Sequence, residues 1–319
     1  MKFTKSLIAA AALGTLFVGT ANAENFGVGT MSQGTITYSA GAAISKVVSK
    51  TTDFQLRVQP FSGTTQVVPQ INNGEMDFGL ANVIETSAAV DGRIVFEGRP
   101  NPNLRVVAVI FPLRVGFFVR KYSEINSFKD LRGRSLPVDY ASQAMINSVT
   151  NSILAAGGIS TDDVEGVPVP NIARAADDFA TGKTDAFFFG IGAGKVAQVS
   201  AKVDGLRLLP IDDNDASLSA ARNHASSVYI TTVKPTERTV GVEQPTPAIT
   251  YDYLLLAGKH VSDDVVYAVT KALHDNKKSL IRSFGIFRGF HADKMAKNLP
   301  VKYHAGAVRF YKEAGLLPQ

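Results

Sequence analysis

The stretch Phe26–Ile44, FGVGTMSQGTITYSAGAAI, sets the terms for the rest of the chain. It predicts a short strand, a loop of Gly29, Thr30, Ser32, Gln33, Gly34 and Thr35, and then a helix. Ala40, Ala43, Ile44, Val47 and Val48 recur at helical spacing, so one face of that helix must be buried. Small hydroxyl and glycine residues before a helix either cap it or present backbone N–H groups and the positive dipole end to a ligand. The same order then returns. Phe54, Leu56 and Val58 alternate as in a half-buried strand, the loop PFSGTTQ follows from Pro60, and Val67, Val68 and Ile71 mark a second short helix. Pro69 predicts that this helix has only just begun there, because an interior proline removes a backbone donor. Asn73-Gly74 ends it, Met76–Leu80 is the next strand, and Asn82 stands in a third loop. With Leu104–Phe111 as a further apolar strand, the order is β-α-β-α-β, which makes the fold class α/β.

A second run of alternating elements starts after Pro112. Phe117–Arg120 continues as a strand, Leu136–Val138 is another, and the polar loop Asp139–Gln143 leads into a helix over Ala144–Ala156. Strand Gly166–Val169, helix Ile172–Thr181 and strand Asp185–Phe189 follow. Ala225–Gln244 reads as irregular, and Ala248–Leu256 as a strand returning to the first unit. Ser262 caps a helix with Asp263 and Asp264 in its first turn, and a last helix lies near Ala305–Ala314. The expected architecture is therefore two α/β lobes, 24–112 with 250–319 as lobe I and 113–249 as lobe II. More than one crossing strand would join them, with the polar loops around a shared crevice.

Met1–Ala23 reads as a cleaved signal peptide: Lys2 and Lys5, an apolar run Leu7–Val18, and an Ala-Asn-Ala end. The location expected from it is periplasmic. Losing the two lysines takes the net charge from +5 to +3, which gives no reason to invoke nucleic acid. There is no cysteine, so disulfides, thiolate metal sites and cysteine nucleophiles are excluded. Neither an HExxH zinc motif nor a GxSxG elbow is present. Gly190-Ile191-Gly192-Ala193-Gly194-Lys195 fails as a phosphate loop, because one residue is missing and Val196 replaces the hydroxyl residue. Five dispersed histidines lack ligand spacing. No enzyme, metal or cofactor is expected; an exported two-lobe chain of this kind implies a solute receptor that closes by hinge motion.

Several motifs carry a family resemblance. Gly29-Thr30-Met31-Ser32-Gln33-Gly34 with Tyr38 and Gly41–Ile44, Gly63-Thr64, and Asn73–Leu80 are similar to the TAXI class of solute-binding subunits of TRAP transporters. So are Asp185–Phe188, Asp263–Leu273, Leu299-Pro300-Val301, His304, Gly306 and Ala307. The resemblance implies a bilobal periplasmic-binding-protein fold, type II-like, and a receptor for glutamate, 2-oxoglutarate or a related dicarboxylate. It also implies Na⁺-coupled uptake through membrane subunits, often fused; a monomer suffices for that role. Carried over by position, the ligand groups are Thr30, Ser32 and Gln33 in the first loop, Ser62, Gly63 and Thr64 in the second, and Asn82; Thr35 and Thr65 in the same loops are further candidates.

The chain departs from the family pattern at Thr35-Ile36, at Val67 and in the loop Asp139–Gln143. From the residues themselves, Arg114 at the crossing is a candidate carboxylate clamp, or else a solvated surface arginine or one that pairs across the hinge with Asp252. Tyr140, Phe188 and Phe189 are candidate walls, and Ser142 and Gln143 candidate donors from lobe II. Asp139 either points inward, to repel a dicarboxylate or pair with a ligand ammonium, or faces solvent or caps the helix. A receptor for an ABC importer, or a ligand sensor, is the alternative reading.

Overall fold

A computed structural model describes residues 24–317, and the signal peptide read at 1–23 lies outside them. The first unit runs β1 (Asn25–Met31), α1 (Ile36–Thr51), β2 (Gln55–Phe61), α2 (Thr64–Asn73), β3 (Phe78–Asn82) and α3 (Val83–Asp91). Strand β4 (Leu104–Arg120) crosses into the second unit. That unit holds β5 (Ser135–Val138), α4 (Met145–Ala156), β6 (Glu165–Pro168), α5 (Ile172–Ala180) and β7 (Ala186–Gly190). It continues with α6 (Gly194–Lys202), β8 (Leu206–Leu208), α7 (Asp215–Arg222) and β9 (Tyr229–Val233). Strand β10 (Thr246–Gly258) crosses back, and α8 (Asp263–Asp275), α9 (Lys277–Ser283) and α10 (Ala305–Glu313) complete the first unit.

The two crossing strands hold the molecule together. The main sheet runs β2-β1-β3-β10-β4-β7, with β8 beside β4 and β9 beside β10. The first half of β4 pairs antiparallel with β10, and Val115–Val119 pairs with β7. Sequence explains why β4 can sit at the centre: its apolar run is buried on both faces. The short parallel pair β5–β6 is tied to β7 by Asp185, whose carboxylate accepts from both the N–H and the hydroxyl of Ser135 at 2.9 Å.

Four features differ from the sequence expectation. Pro69 lies well inside α2, not in its first turn, so the Thr65 carbonyl four residues back lacks its helical donor. Strand β4 runs unbroken through Pro112, beside the register shifts that relax the β4–β10 ladder. Asn82 is not a plain loop residue: it ends β3 and caps α3. The stretch read as irregular contains β9, a polar edge strand that pairs only with β10 and so shows little hydrophobic alternation. Among the described residues no helix is long and apolar enough to cross a membrane.

Candidate functional site

The loops that follow β1, β2 and β3 face α4 and β7 of the second unit across a cavity of about 60 Å³. The first unit contributes Met31, Thr35, Ile36 and Thr37 from the β1–α1 turn, Thr64 and Thr65 from α2, and Asn82 and Glu85 from α3. Its floor is Leu113 and Val115 of β4 with Tyr251 and Tyr253 of β10. Gln143, Met145, Ile146, Val149, Ile172, Phe188, Phe189 and Gly190 close the other side. Strand alternation accounts for the floor: Leu113 and Val115 share one face of β4, as Tyr251 and Tyr253 do on β10, while Arg114 and Asp252 point the other way.

One carboxyl group dominates the chemistry. Glu85 is 1 % exposed and lies in the first turn of α3, its N–H held by the Asn82 Oδ1 cap at 2.8 Å. Thr64 Oγ1 donates to one carboxyl oxygen, and Thr65 Oγ1 donates to the other at 3.0 Å. Burial pushes Glu85 up from 4.5 to about 7, against the pull of the two threonine hydroxyls. No lysine or arginine lines the cavity, and among the described residues Glu85 has no ion-pair partner. Burial also drives the Tyr251 and Tyr253 hydroxyls well above the phenol range, with smaller contributions from Glu85, so both rings stay neutral.

The two units touch directly over this cavity. Gln143 Nε2 donates to the Ser62 carbonyl at 2.9 Å, while Gln143 Oε1 accepts from the Ile172 N–H at 3.0 Å. Gly63 lies so close to the facing loop that a Cβ there would sit 2.7 Å from the Ser142 carbonyl oxygen. The conformation described is therefore a closed one.

Of the residues singled out from sequence, the fold brings Thr35, Thr64, Thr65, Asn82, Gln143, Phe188 and Phe189 to the cavity wall. Thr30 lies instead under α1, its hydroxyl donating to the Met31 carbonyl and its methyl group facing Gly41. Ser32 and Gln33 are exposed and bond to the Phe61 carbonyl and the Tyr38 hydroxyl. Ser62 and Ser142 meet the opposite lobe through backbone carbonyls, and Gly63 packs beside them, so none of the three lines the wall. Tyr140 is fully buried away from the cavity, and its hydroxyl has no partner. Asp139 is exposed and directly follows β5, with a left-handed φ of 51°.

Arg114 points to the back of the sheet, and its pairing with Asp252 does not form, since Asp252 is held by Lys297 at 2.6 Å and the Tyr229 hydroxyl at 2.9 Å. Lys195 of the glycine-rich stretch pairs with Asp177 at 2.7 Å. His304 caps α10, accepting the Gly306 N–H at 3.2 Å.

Glu85, Tyr251 and Tyr253 are the residues that sequence reasoning missed. Asn82 followed three residues later by Glu85 is a helix-start signature, so α3 and its acid were open to detection. The burial of that acid was not, because it depends on β10, more than 160 residues away.

A family model for the NMT1-like family matches residues 28–315. The chain belongs to the NMT1-like family. This NMT1-like chain is similar to a solved structure described as a periplasmic transporter, at 16% identity over 93% of this chain and 94% of that one, with a TM-score of 0.58. A second likeness is to PhnD1 from Prochlorococcus marinus in complex with methylphosphonate: 13% identity, 93% and 100% coverage, TM-score 0.57. A third is to AbpA of Streptococcus pneumoniae, an amino acid ABC transporter substrate-binding protein bound to L-arginine: 11% identity, 83% and 95% coverage, TM-score 0.51. At these identities the likeness is one of fold, the bilobal fold of periplasmic binding proteins.

Proposed function

We propose that this NMT1-like protein is the periplasmic receptor of a solute importer, which closes two lobes around a small molecule and releases it unchanged. The observation that carries this reading is the cavity between the units, latched by Gln143 on Ser62 and holding one buried carboxyl group among aromatic and aliphatic walls. Lobe I in this reading is 24–112 with 250–319, lobe II is 113–249, and β4 and β10 bend as the hinge. Such a role is binding, not catalysis.

The ligand we infer is a compact organic amine. Its N–H groups would meet Glu85, and its body would lie against Tyr251, Tyr253, Phe188 and Phe189. An ammonium gains both from the carboxylate and from the ring faces. A glutamate- or 2-oxoglutarate-like dicarboxylate would meet a like charge and no cation on this wall, so the reading departs from the ligand class that the TAXI resemblance implies. By the measure in which a water needs roughly 10–15 Å³, the closed cavity has room for about four to six heavy atoms.

For the membrane partner we infer an ABC importer, the system that AbpA serves. A Na⁺-coupled TRAP transporter is the second reading, favoured by the TAXI-like stretches. Two of these have scaffold roles: Asp185 ties β5 to β7, and Asp263–Leu273 forms α8 with Val266, Val269 and Leu273 buried. Scaffold residues mark a fold more directly than a transporter.

Calorimetry with a panel of small amines and dicarboxylates on the mature protein and on Glu85→Gln tests the ligand reading. The expected result is an amine that binds the natural protein and loses about tenfold or more with the variant. A dicarboxylate that binds both equally would overturn it. Uptake that persists without a sodium gradient is expected for the ABC reading; uptake that stops without one would favour TRAP.

A further inference from the structure

On the back of the crossing strands, opposite the ligand cavity, a second and more open cavity of about 650 Å³ straddles both lobes. Four cationic side chains line it, Arg114, Lys234, Arg238 and Arg288, against one carboxylate, Glu237. None of the four forms an ion pair among the described residues. The convergence is built into the backbone. Arg238 Nη1 and Arg288 Nη1 approach the point where a Cβ on Gly285 would stand to 2.0 and 2.7 Å, so the two guanidinium groups lie within about 5 Å of each other. Only a residue without a side chain leaves that meeting point free.

Arg114 enters from β4, where its Nε is buried and has no hydrogen-bond partner. The loop that carries Arg238 is itself pinned: Thr239 Oγ1 donates to the Lys234 carbonyl at 3.0 Å and accepts the Thr236 N–H at 2.8 Å. Like charges held together without an ion-pair partner repel, and a buried guanidinium donor without an acceptor is costly. Both costs vanish when an anion with several oxygens sits among them.

We propose that this back cavity is a second binding site, which takes a compact multivalent oxyanion of the phosphate or polycarboxylate class, free in solution. It is distinct from the solute cavity, because β4 presents Arg114 to the back cavity and Leu113 and Val115 to the solute cavity. An anion seated there contacts Arg114 on the crossing strand, the 232–239 segment of lobe II and the 285–289 segment of lobe I, and so favours the lobe arrangement described here.

The test is calorimetric titration of the full mature protein with pyrophosphate and with citrate, in a buffer of monovalent ions. The expected result is saturable binding of at least one of them, weakened about tenfold or more by Arg288→Ala and further by adding Arg238→Ala. Lys312→Ala removes the same charge at another surface cavity and should change the affinity less than about twofold. Equal losses in all variants would reduce the effect to net charge and overturn the proposal. So would a failure of both anions to bind. Flotation with phosphatidylglycerol vesicles separates a lipid-borne phosphate from a free one; capture by vesicles without binding of free pyrophosphate overturns the soluble ligand.

Discussion

Replacing Glu85 by glutamine removes the one carboxyl group in the ligand cavity and keeps its size. Folded, the Glu85 carboxyl holds its proton up to about pH 7; unfolded, it loses it near 4.5. Between those values the folded chain binds the extra proton, so the contribution of Glu85 to stability falls as pH rises and levels off above about 7. A shift of this size corresponds to about 3 kcal/mol lost from pH 4 to pH 8. The glutamine variant has no such loss and keeps an acceptor for one threonine hydroxyl. Other groups titrate in both proteins, so the quantity to measure is the difference in urea unfolding free energy between variant and natural protein, at half-unit steps from pH 4 to 8.5. The expected difference grows in favour of the variant across that window. Parallel curves would mean that Glu85 is ionised in the folded chain at pH 5, and the argument from burial would be refuted.

Three further outcomes follow from the same geometry. An amine bound at Glu85 needs the ionised form, so its affinity should rise roughly a hundredfold from pH 5 to pH 8 with a midpoint near 7, read by calorimetry; a flat profile would place the ligand elsewhere. Gly63→Ala puts a Cβ against the Ser142 carbonyl, so small-angle scattering should show a larger radius of gyration and ligand affinity should drop; unchanged scattering would mean the lobes do not meet there. Gln143→Ala removes the Ser62 latch and should weaken ligand binding by about 0.5–1.5 kcal/mol, while an affinity equal to that of the natural protein would show that the latch contributes nothing to closure.

The units themselves were legible because periodicity is local: α1 and the polar turns before α1 and α2 could be read from spacing alone. Thr35, Thr64, Thr65 and Asn82, candidates from the family-like loops, all stand at helix starts and line the cavity. Thr30 and Arg114 show the limit. A strand presents neighbouring residues to opposite faces, and which face meets the ligand is decided by strands far away in sequence. One residue of alternation carries Arg114 to the back of the sheet and leaves Leu113 and Val115 in the cavity. Glu85 illustrates the same point: an acid in a first helical turn is ordinarily a solvated capping group, and only the arrival of β10 with Tyr251 and Tyr253 turns it into a buried one. Pro69 was misread for a third reason, since tertiary burial of Val67, Val68 and Ile71 outweighs the loss of one helical hydrogen bond.

A crystal structure of the mature protein with the small molecule it retains from its host would test the central claim most directly. The account predicts density for an amine between the lobes, its nitrogen within hydrogen-bond distance of the Glu85 carboxylate and its body against Tyr251 and Tyr253. Density for a ligand held by Ser32, Gln33 or Arg114, with the Glu85 cavity filled only by water, would contradict it.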